Sequence, residues 1–115
     1  MVDEFRDWLD SLDHAARIGV LAAVVVLGDE GPTLGRPLVD SVKGSRFRNM
    51  KELRPPAPGR LTIRVLFAFD PVRQAVLLVG GDKANDWEGW YRRAIPLADS
   101  RFERYLLDMD AKEGR

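Results

Sequence analysis

The chain has 115 residues, 45% of them apolar, and its 18 basic and 18 acidic side chains leave a formal net charge of zero. This is the size and composition of one folded domain, 1–115, with no disordered tract of any length. The lack of cysteine excludes disulfides and thiolate metal sites, and a single histidine, His14, excludes a histidine pair or histidine-based metal site within the chain.

Phe5, Trp8, Leu9 and Leu12 recur at helical spacing, which predicts a short amphipathic helix over 3–10. Asp13 suits the N-cap of a second helix over 14–28, where its carboxylate would accept from free N–H groups of the first turn. Ile18–Leu27 is apolar nearly all round, which predicts cover on more than one side; the β-branched run Val24–Val26 leaves a buried strand as the alternative. The run is too short to span a bilayer and lies too deep, behind five acidic residues, for a signal peptide. A soluble, cytoplasmic protein with no membrane partner is expected.

Gly28 and Asp29-Glu30-Gly31-Pro32 should stop that helix. Thr33–Lys43, with Gly35 and Pro37, reads as a loop with one helical turn near Leu38–Val42. Three antiparallel strands should follow. The first is Ser45–Leu53, and Pro55, Pro56 and Pro58 make the next link irregular. Arg60–Phe69 is the clearest strand, with Leu61, Ile63, Val65, Phe67 and Phe69 alternating with Thr62, Arg64, Leu66 and Ala68. Asp70-Pro71-Val72-Arg73 is a turn, Gln74–Val79 returns, and Gly80-Gly81 bends the chain. Trp87, Trp90 and Tyr91 mark a short helix, with both tryptophans as core anchors and stacking on bases as the alternative. Pro96 breaks this helix or opens the next, which runs to about Asp110 ahead of a frayed tail, Ala111–Arg115. The class is α+β.

The zero net charge hides an asymmetry. Residues 1–30 carry seven acids and two bases, net −5, while residues 43–73 carry eight bases and two acids, net +6. A basic sheet beside acidic helices suits one anion-binding face. Standard motifs are absent: there is no phosphate-cradling glycine loop and no Ser-His-Asp set. What remains is Lys51, Arg54, Arg64, Arg73 and Lys83 on neighbouring strands, Arg46 and Arg48 just upstream, and Tyr91 nearby. Arg64 interrupts an apolar strand, where a charge needs a partner, either a bound anion or Glu52 one strand away. Lys83 at a strand end is either a functional loop residue or an ordinary solvated lysine.

Such a set can cleave RNA without metal or cofactor. The RNA supplies its own nucleophile, the 2′-OH, and the protein aligns it and stabilises the charge on a phosphorane-like transition state. Glu52, or a lysine of lowered pKa, would act as base, and Tyr91 would donate or orient. The expected catalytic set is therefore Arg64, Lys83, Arg54, Glu52 and Tyr91, with Lys51, Arg73, Arg48 and Arg46 as RNA-binding bases.

Glu30-Gly31-Pro32, Leu34-Gly35-Arg36-Pro37, Lys51-Glu52-Leu53-Arg54, Ile63-Arg64-Val65-Leu66-Phe67 and Gly80-Gly81-Asp82-Lys83, followed by Trp90-Tyr91, resemble in order and spacing the RelE/ParE superfamily of toxin–antitoxin toxins. The likeness is to its HigB-like, phage-protein-like branch and covers about residues 5–107. The resemblance implies two N-terminal helices packed on a small antiparallel sheet, with a C-terminal helical segment. It implies an mRNA endonuclease acting on the translating ribosome, needing no cofactor or metal. It also implies a helix-turn-helix, HigA-like antitoxin as partner, in a homo-oligomer or a heterotetramer with that antitoxin. Arg54, Arg64 and Lys83 occupy functional positions, with Arg73 and Tyr91 looser matches. Two other functions belong to the same resemblance: a ParE-like inhibitor of DNA gyrase and a degenerate module that only binds antitoxin. Two features depart from the pattern. The usual first strand has no room before the first helix: either the start of the chain is trimmed or mis-assigned, or the sheet lacks an edge strand and leaves that edge open to the antitoxin or to another copy. The acid/base histidines of some HigB toxins have no counterpart.

Overall fold

The computed structural model describes residues 1–84 and 86–112. The opening amphipathic run folds as α1, Asp3–Asp10, and the apolar run as α2, His14–Glu30, followed by one 3₁₀ turn, Gly31–Thr33. The chain then forms β1 (Val39–Ser41), β2 (Lys51–Leu53), β3 (Ile63–Phe69), β4 (Ala75–Asp82) and α3 (Trp87–Lys112). The strands make one antiparallel sheet in the order β1-β2-β3-β4. The expected α+β class and helix-on-sheet arrangement are borne out.

The period of β3 sets the layers. Ile63, Val65 and Phe67 face one side, and Arg64, Leu66 and Ala68 the other. The first side carries α1 and α2, whose Phe5, Leu9, Val20, Ala23 and Leu27 complete the main core with Leu53, Val65 and Phe67. The second side carries α3, through Trp90, Ala94, Ala98 and Phe102. Each large side chain buried in this way contributes about 1.5–3 kcal/mol. Asp70 ties the β3–β4 turn by accepting from the Val72 and Gln74 N–H groups and the Tyr105 hydroxyl.

Several expectations are corrected. The segment read as a helical turn, Leu38–Val42, contains edge strand β1, so the sheet has four strands where three were expected. Val39, Asp40 and Ser41 pair with Leu53, Glu52 and Lys51. Of Ser45–Leu53, only the last three residues are strand. Gly44 has a φ of 95°, and Ser45–Phe47 is drawn onto α3, where buried Asp99 accepts from the Ser45 hydroxyl and the Arg46 N–H. Asp13 stands at the N-cap of α2, but its side chain makes no capping bond; its backbone carbonyl accepts from Arg17. α2 is covered on one side only, as Ile18, Leu21, Val25 and Val26 are exposed.

Gly80 and Gly81 do not bend the chain; both lie inside β4. A Cβ on Gly80 would come within 2.2 Å of the Trp8 ring, and one on Gly81 within 2.1 Å of Trp90 Nε1. The two glycines let one tryptophan from each helical layer seat against the strand. Gly81→Ala should therefore cost about 1–3 kcal/mol by overpacking, read as a lower urea midpoint at unchanged slope; an unchanged midpoint would mean that Trp90 is not seated there.

α3 is one helix rather than two. Trp90, Ala94, Ala98 and Phe102 recur every four residues across Pro96, while Pro96 and Arg92 lie on the exposed side. The Arg92 carbonyl that loses its partner can meet water, so packing outweighs the break. Trp90 is buried as expected, but Trp87 is 56% exposed and anchors no core. Ala111 and Lys112 are helical, and the rest of the expected frayed tail lies outside the described residues.

No strand precedes α1 among the described residues, yet the outer edge of β4 is not bare. The Val2 N–H donates to the Leu77 carbonyl, and Arg101 of α3 donates to the Leu78 carbonyl at 2.8 Å. Glu4 of α1 and Arg104 of α3 close around that edge in a two-bond pair, both at 2.7 Å, and Arg104 holds the Glu4 carboxyl down at about 2. No helix of the described residues is long and apolar enough to cross a membrane.

Candidate functional site

The α3 side of the sheet gathers the expected catalytic residues. Glu52 on β2 and Arg64 on β3 project to the same face, since Glu52 pairs with Leu66, two residues along the strand from Arg64. Arg54 follows β2 on that face. Lys83 follows β4, with its backbone N–H on the Thr62 carbonyl and Asp82 accepting from the Thr62 and Ala84 N–H groups on either side. Tyr91 lies in the first turns of α3, which cross above.

Four of the side chains are joined. Lys83 Nζ donates to the Tyr91 hydroxyl at 3.3 Å, and Tyr91 in turn donates to Glu52 Oε1. Glu52 Oε2 accepts from Arg54 Nε at 2.9 Å and lies 2.8 Å from Nη2. Arg54 Nη2 also reaches Asp40 on β1 at 3.1 Å, and Asp40 pairs with Arg36 at the same distance. Glu52 is only 4% exposed, so its charge depends on these partners. Lys83 Nζ lies 5.2 Å from the centre of the Tyr91 ring and 5.7 Å from that of Trp87.

Arg64 stands apart from this chain of bonds. Nη1 donates to the Ile63 carbonyl at 2.8 Å, and the buried Nε has no partner among the described residues. The alternative reading, a buried pair with Glu52, is not what the structure shows: Glu52 is taken by Arg54 and Tyr91, and Arg64 is in none of the ion pairs. Its charge acts on its neighbours instead. Burial, then Arg64, lowers the Lys83 pKa, with Glu52 opposing. Burial and the bond to Glu52 push Tyr91 up to about 12. The cluster borders a cleft of about 270 Å³ lined by Ser41, Lys43, Glu52, Tyr91 and Ile95. A hollow of about 330 Å³ lies on its other flank, by Thr62, Lys83 and Trp87.

The expected RNA-binding bases are not brought together. Lys51 is on the opposite face of β2 from Glu52. Arg73 lies in the β3–β4 turn; five residues of strand, at about 3.3 Å each, separate Arg64 from that end of β3. There Arg73 takes a φ of 64° and lines an apolar cleft of about 430 Å³ with Val24, Leu27 and Leu77. Arg46 pairs with Glu103 at 3.0 Å on α3, and Arg48 is exposed with no ion pair among the described residues. Sequence reasoning missed Asp40, which holds Arg54 from the strand read as a loop. The signal was the Arg36–Asp40 spacing and the pairing of that segment with Lys51–Leu53. It also missed Lys43 at the cleft, although Lys43 opens the basic stretch 43–73.

The tyrosine pair allows a titration test. The only tyrosines are Tyr91 and Tyr105, and both are pushed up to about 12, by burial first and then by Glu52 and Asp70 respectively. Raised folded values mean that their contribution is intact below the unfolded value of about 10 and is lost as pH rises through about 12. Tyrosinate absorbance should therefore appear only at the alkaline end. Glu52→Gln should bring one tyrosine down, since a negative charge opposing its ionisation is gone, and leave Tyr105 in place. In a Tyr105→Phe background, an unmoved Tyr91 curve would contradict the Glu52 contact.

Residues 7–103 match the family model described as Phage derived protein Gp49-like. The chain is 50% identical over 109 residues to HigB2 of Mycobacterium tuberculosis, named as a candidate toxin, an alignment spanning 95% of this chain and 54% of that one. It is 51% identical over 106 residues to HigB3 of the same organism, also named as a candidate toxin, spanning 92% and 90%. The chain thus spans about half the length of the first relative and most of the second. No solved structure matches it. The expected likeness to HigB-like, phage-protein-like toxins is borne out.

Proposed function

From the premise that the chain belongs to the Phage derived protein Gp49-like family, we propose that it is the toxin of a type II toxin–antitoxin system that cleaves mRNA on the ribosome. Its partner on this reading is a helix-turn-helix, HigA-like antitoxin, and its place of action the cytoplasm. The observation that carries the proposal is the cluster itself. Three cations, Arg54, Arg64 and Lys83, share one sheet face with a buried carboxylate beside an open cleft, and one guanidinium nitrogen has no partner among the described residues.

In this reading a phosphodiester seats between Arg64 and Lys83. Glu52, freed from Tyr91 and Arg54, takes the 2′-OH proton. The 2′-oxygen attacks the adjacent phosphorus, the P–O5′ bond breaks, and the products are a 2′,3′-cyclic phosphate and a 5′-OH. Arg64 and Arg54 meet the charge gathering on the phosphoryl oxygens. Lys83 supplies the proton to the leaving O5′, to which its lowered pKa suits it. Tyr91, neutral because its pKa is high, keeps its bond to Lys83 and orients that ammonium. No step calls for a metal or cofactor.

Expression with and without the neighbouring reading frame tests the proposal. The expected result is arrested growth and mRNA cut within codons when the chain is expressed alone, and normal growth when both are expressed. Normal growth with intact mRNA in cells holding folded protein would overturn it. Arrested growth with intact mRNA and inhibited supercoiling would move the function to gyrase.

A further inference from the structure

α2 carries a second surface that the fold leaves uncovered. Ala16, Val20, Ala23 and Leu27 are buried, the last three in the core shared with the sheet. On the other side Ile18 is 52% exposed, Leu21 41%, Val25 62% and Val26 40%. Ala15, Ile18, Ala22, Val25 and Asp29 follow one another at spacings of three and four, the spacing of a coiled-coil seam. The seam is exposed along its whole length. Exposed aliphatic residues are ordinary when scattered, but a continuous line of them is the mark of an interaction surface.

The pattern specifies the occupant. Large Ile18 and Val25 alternate with small Ala15 and Ala22, so the face offers knobs and holes to a facing helix, and the alanines let its axis approach closely. From Ala15 to Val26 the apolar stretch is about 17 Å long, three turns of helix. Both of its ends are acidic. Asp10 and Asp13 outnumber Arg17 at one end, and Asp29 and Glu30 stand at the other; the four acids are exposed and in none of the ion pairs of the described residues. A second copy of the chain fits poorly. Antiparallel pairing would set Asp10 and Asp13 against Asp29 and Glu30, and parallel pairing would set like ends together. The complementary surface has bases at both ends.

We propose that the outer face of α2 docks an amphipathic α-helix of a partner protein, one with large aliphatic residues at seam spacing and lysine or arginine at both ends. The site lies across the sheet from the Glu52–Tyr91 cluster, so its occupant would leave the cleft open. The inference stands independently of RNA cleavage, and its test reads binding alone.

A fluorescent synthetic helix of about 18 residues, with leucine at the seam and lysine at both ends, should bind the full chain with one-to-one stoichiometry at physiological salt. The same helix ending in glutamate, and a scrambled peptide of the lysine helix's composition, should bind at least about tenfold more weakly. Ile18→Asp with Val25→Asp should weaken binding of the lysine helix by at least about tenfold, with circular dichroism and the unfolding midpoint showing that the protein remains folded. Ile18→Ser with Val25→Ser, which adds no charge, serves as the second variant should the first fail to fold. Equal binding of the scrambled peptide would overturn the proposal, because net charge alone would then suffice. Binding unaffected by either pair of substitutions would also overturn it. So would self-association in sedimentation that the same substitutions disperse, since the occupant would then be a second copy.

Discussion

Arg64→Ala should slow RNA cleavage by about 10²–10³-fold, the usual loss on removing one group that stabilises transition-state charge, while leaving the unfolding midpoint nearly unmoved. The two halves of this expectation come from the same geometry. Among the described residues Arg64 makes one hydrogen bond, to its neighbour's carbonyl, and no ion pair, and its buried Nε has no partner. A buried donor with no acceptor costs the fold about 1–3 kcal/mol, so its removal returns part of what truncating the aliphatic stem loses. On the proposed function, what offsets that cost is the phosphate that Arg64 meets when RNA is bound. Arg64→Lys should recover only part of the rate, because an ammonium keeps the charge but not the two-pronged contact that a guanidinium offers a phosphate. Single-turnover cleavage of a ribosome-bound message, set beside urea unfolding, separates the possibilities. A folded Arg64→Ala protein that cuts at the full rate would remove Arg64 from the site. One that unfolds several kcal/mol more easily would return it to a structural role.

How much of this was legible beforehand varies with the range of the interaction. Arg64 stood out because a strand has a period of two and a charge inside an apolar strand needs a reason. Glu52 and Arg54 could be set on one face by the same period. The Lys83–Tyr91–Glu52 bonds could not be read, because they depend on α3 crossing the sheet near the end of β4. Asp40 was hidden because β1 is three residues long and follows Gly35 and Pro37, so local preference says loop and only pairing with β2 makes it strand. Arg73 shows the converse. It is close to the site in sequence, yet a hairpin carries it to the far end of the sheet. Pro96 and the Gly80-Gly81 pair were read by their local meaning, break and bend. In the fold, the spacing of Trp90, Ala94 and Ala98 outweighs the first, and the need to seat Trp8 and Trp90 explains the second.

Glu52→Ala should be the most damaging change in the cluster, because it removes the one acceptor on which Arg54 and Tyr91 converge. Truncating one member of a buried charged pair typically costs about 3–5 kcal/mol. Arg54 is itself 35% exposed and keeps Asp40 as a second partner, so the expected loss in urea unfolding falls below that range, at about 1–3 kcal/mol. Glu52→Gln separates fold from chemistry. It keeps the size and one acceptor oxygen, so it should retain most of the stability, yet it cannot take a proton, and cleavage should still fall by about 10²–10⁴-fold. The change also acts on Lys83. Glu52 is the group that raises the Lys83 pKa against burial and Arg64, so without that charge Lys83 loses its proton at lower pH. If Lys83 is the donor to the leaving oxygen, the alkaline limb of the residual activity must move to lower pH in Glu52→Gln. A limb that stays in place would take proton donation away from Lys83, and a stable Glu52→Gln protein with undiminished cleavage would reduce Glu52 to a clamp that holds Arg54 and Tyr91 in register.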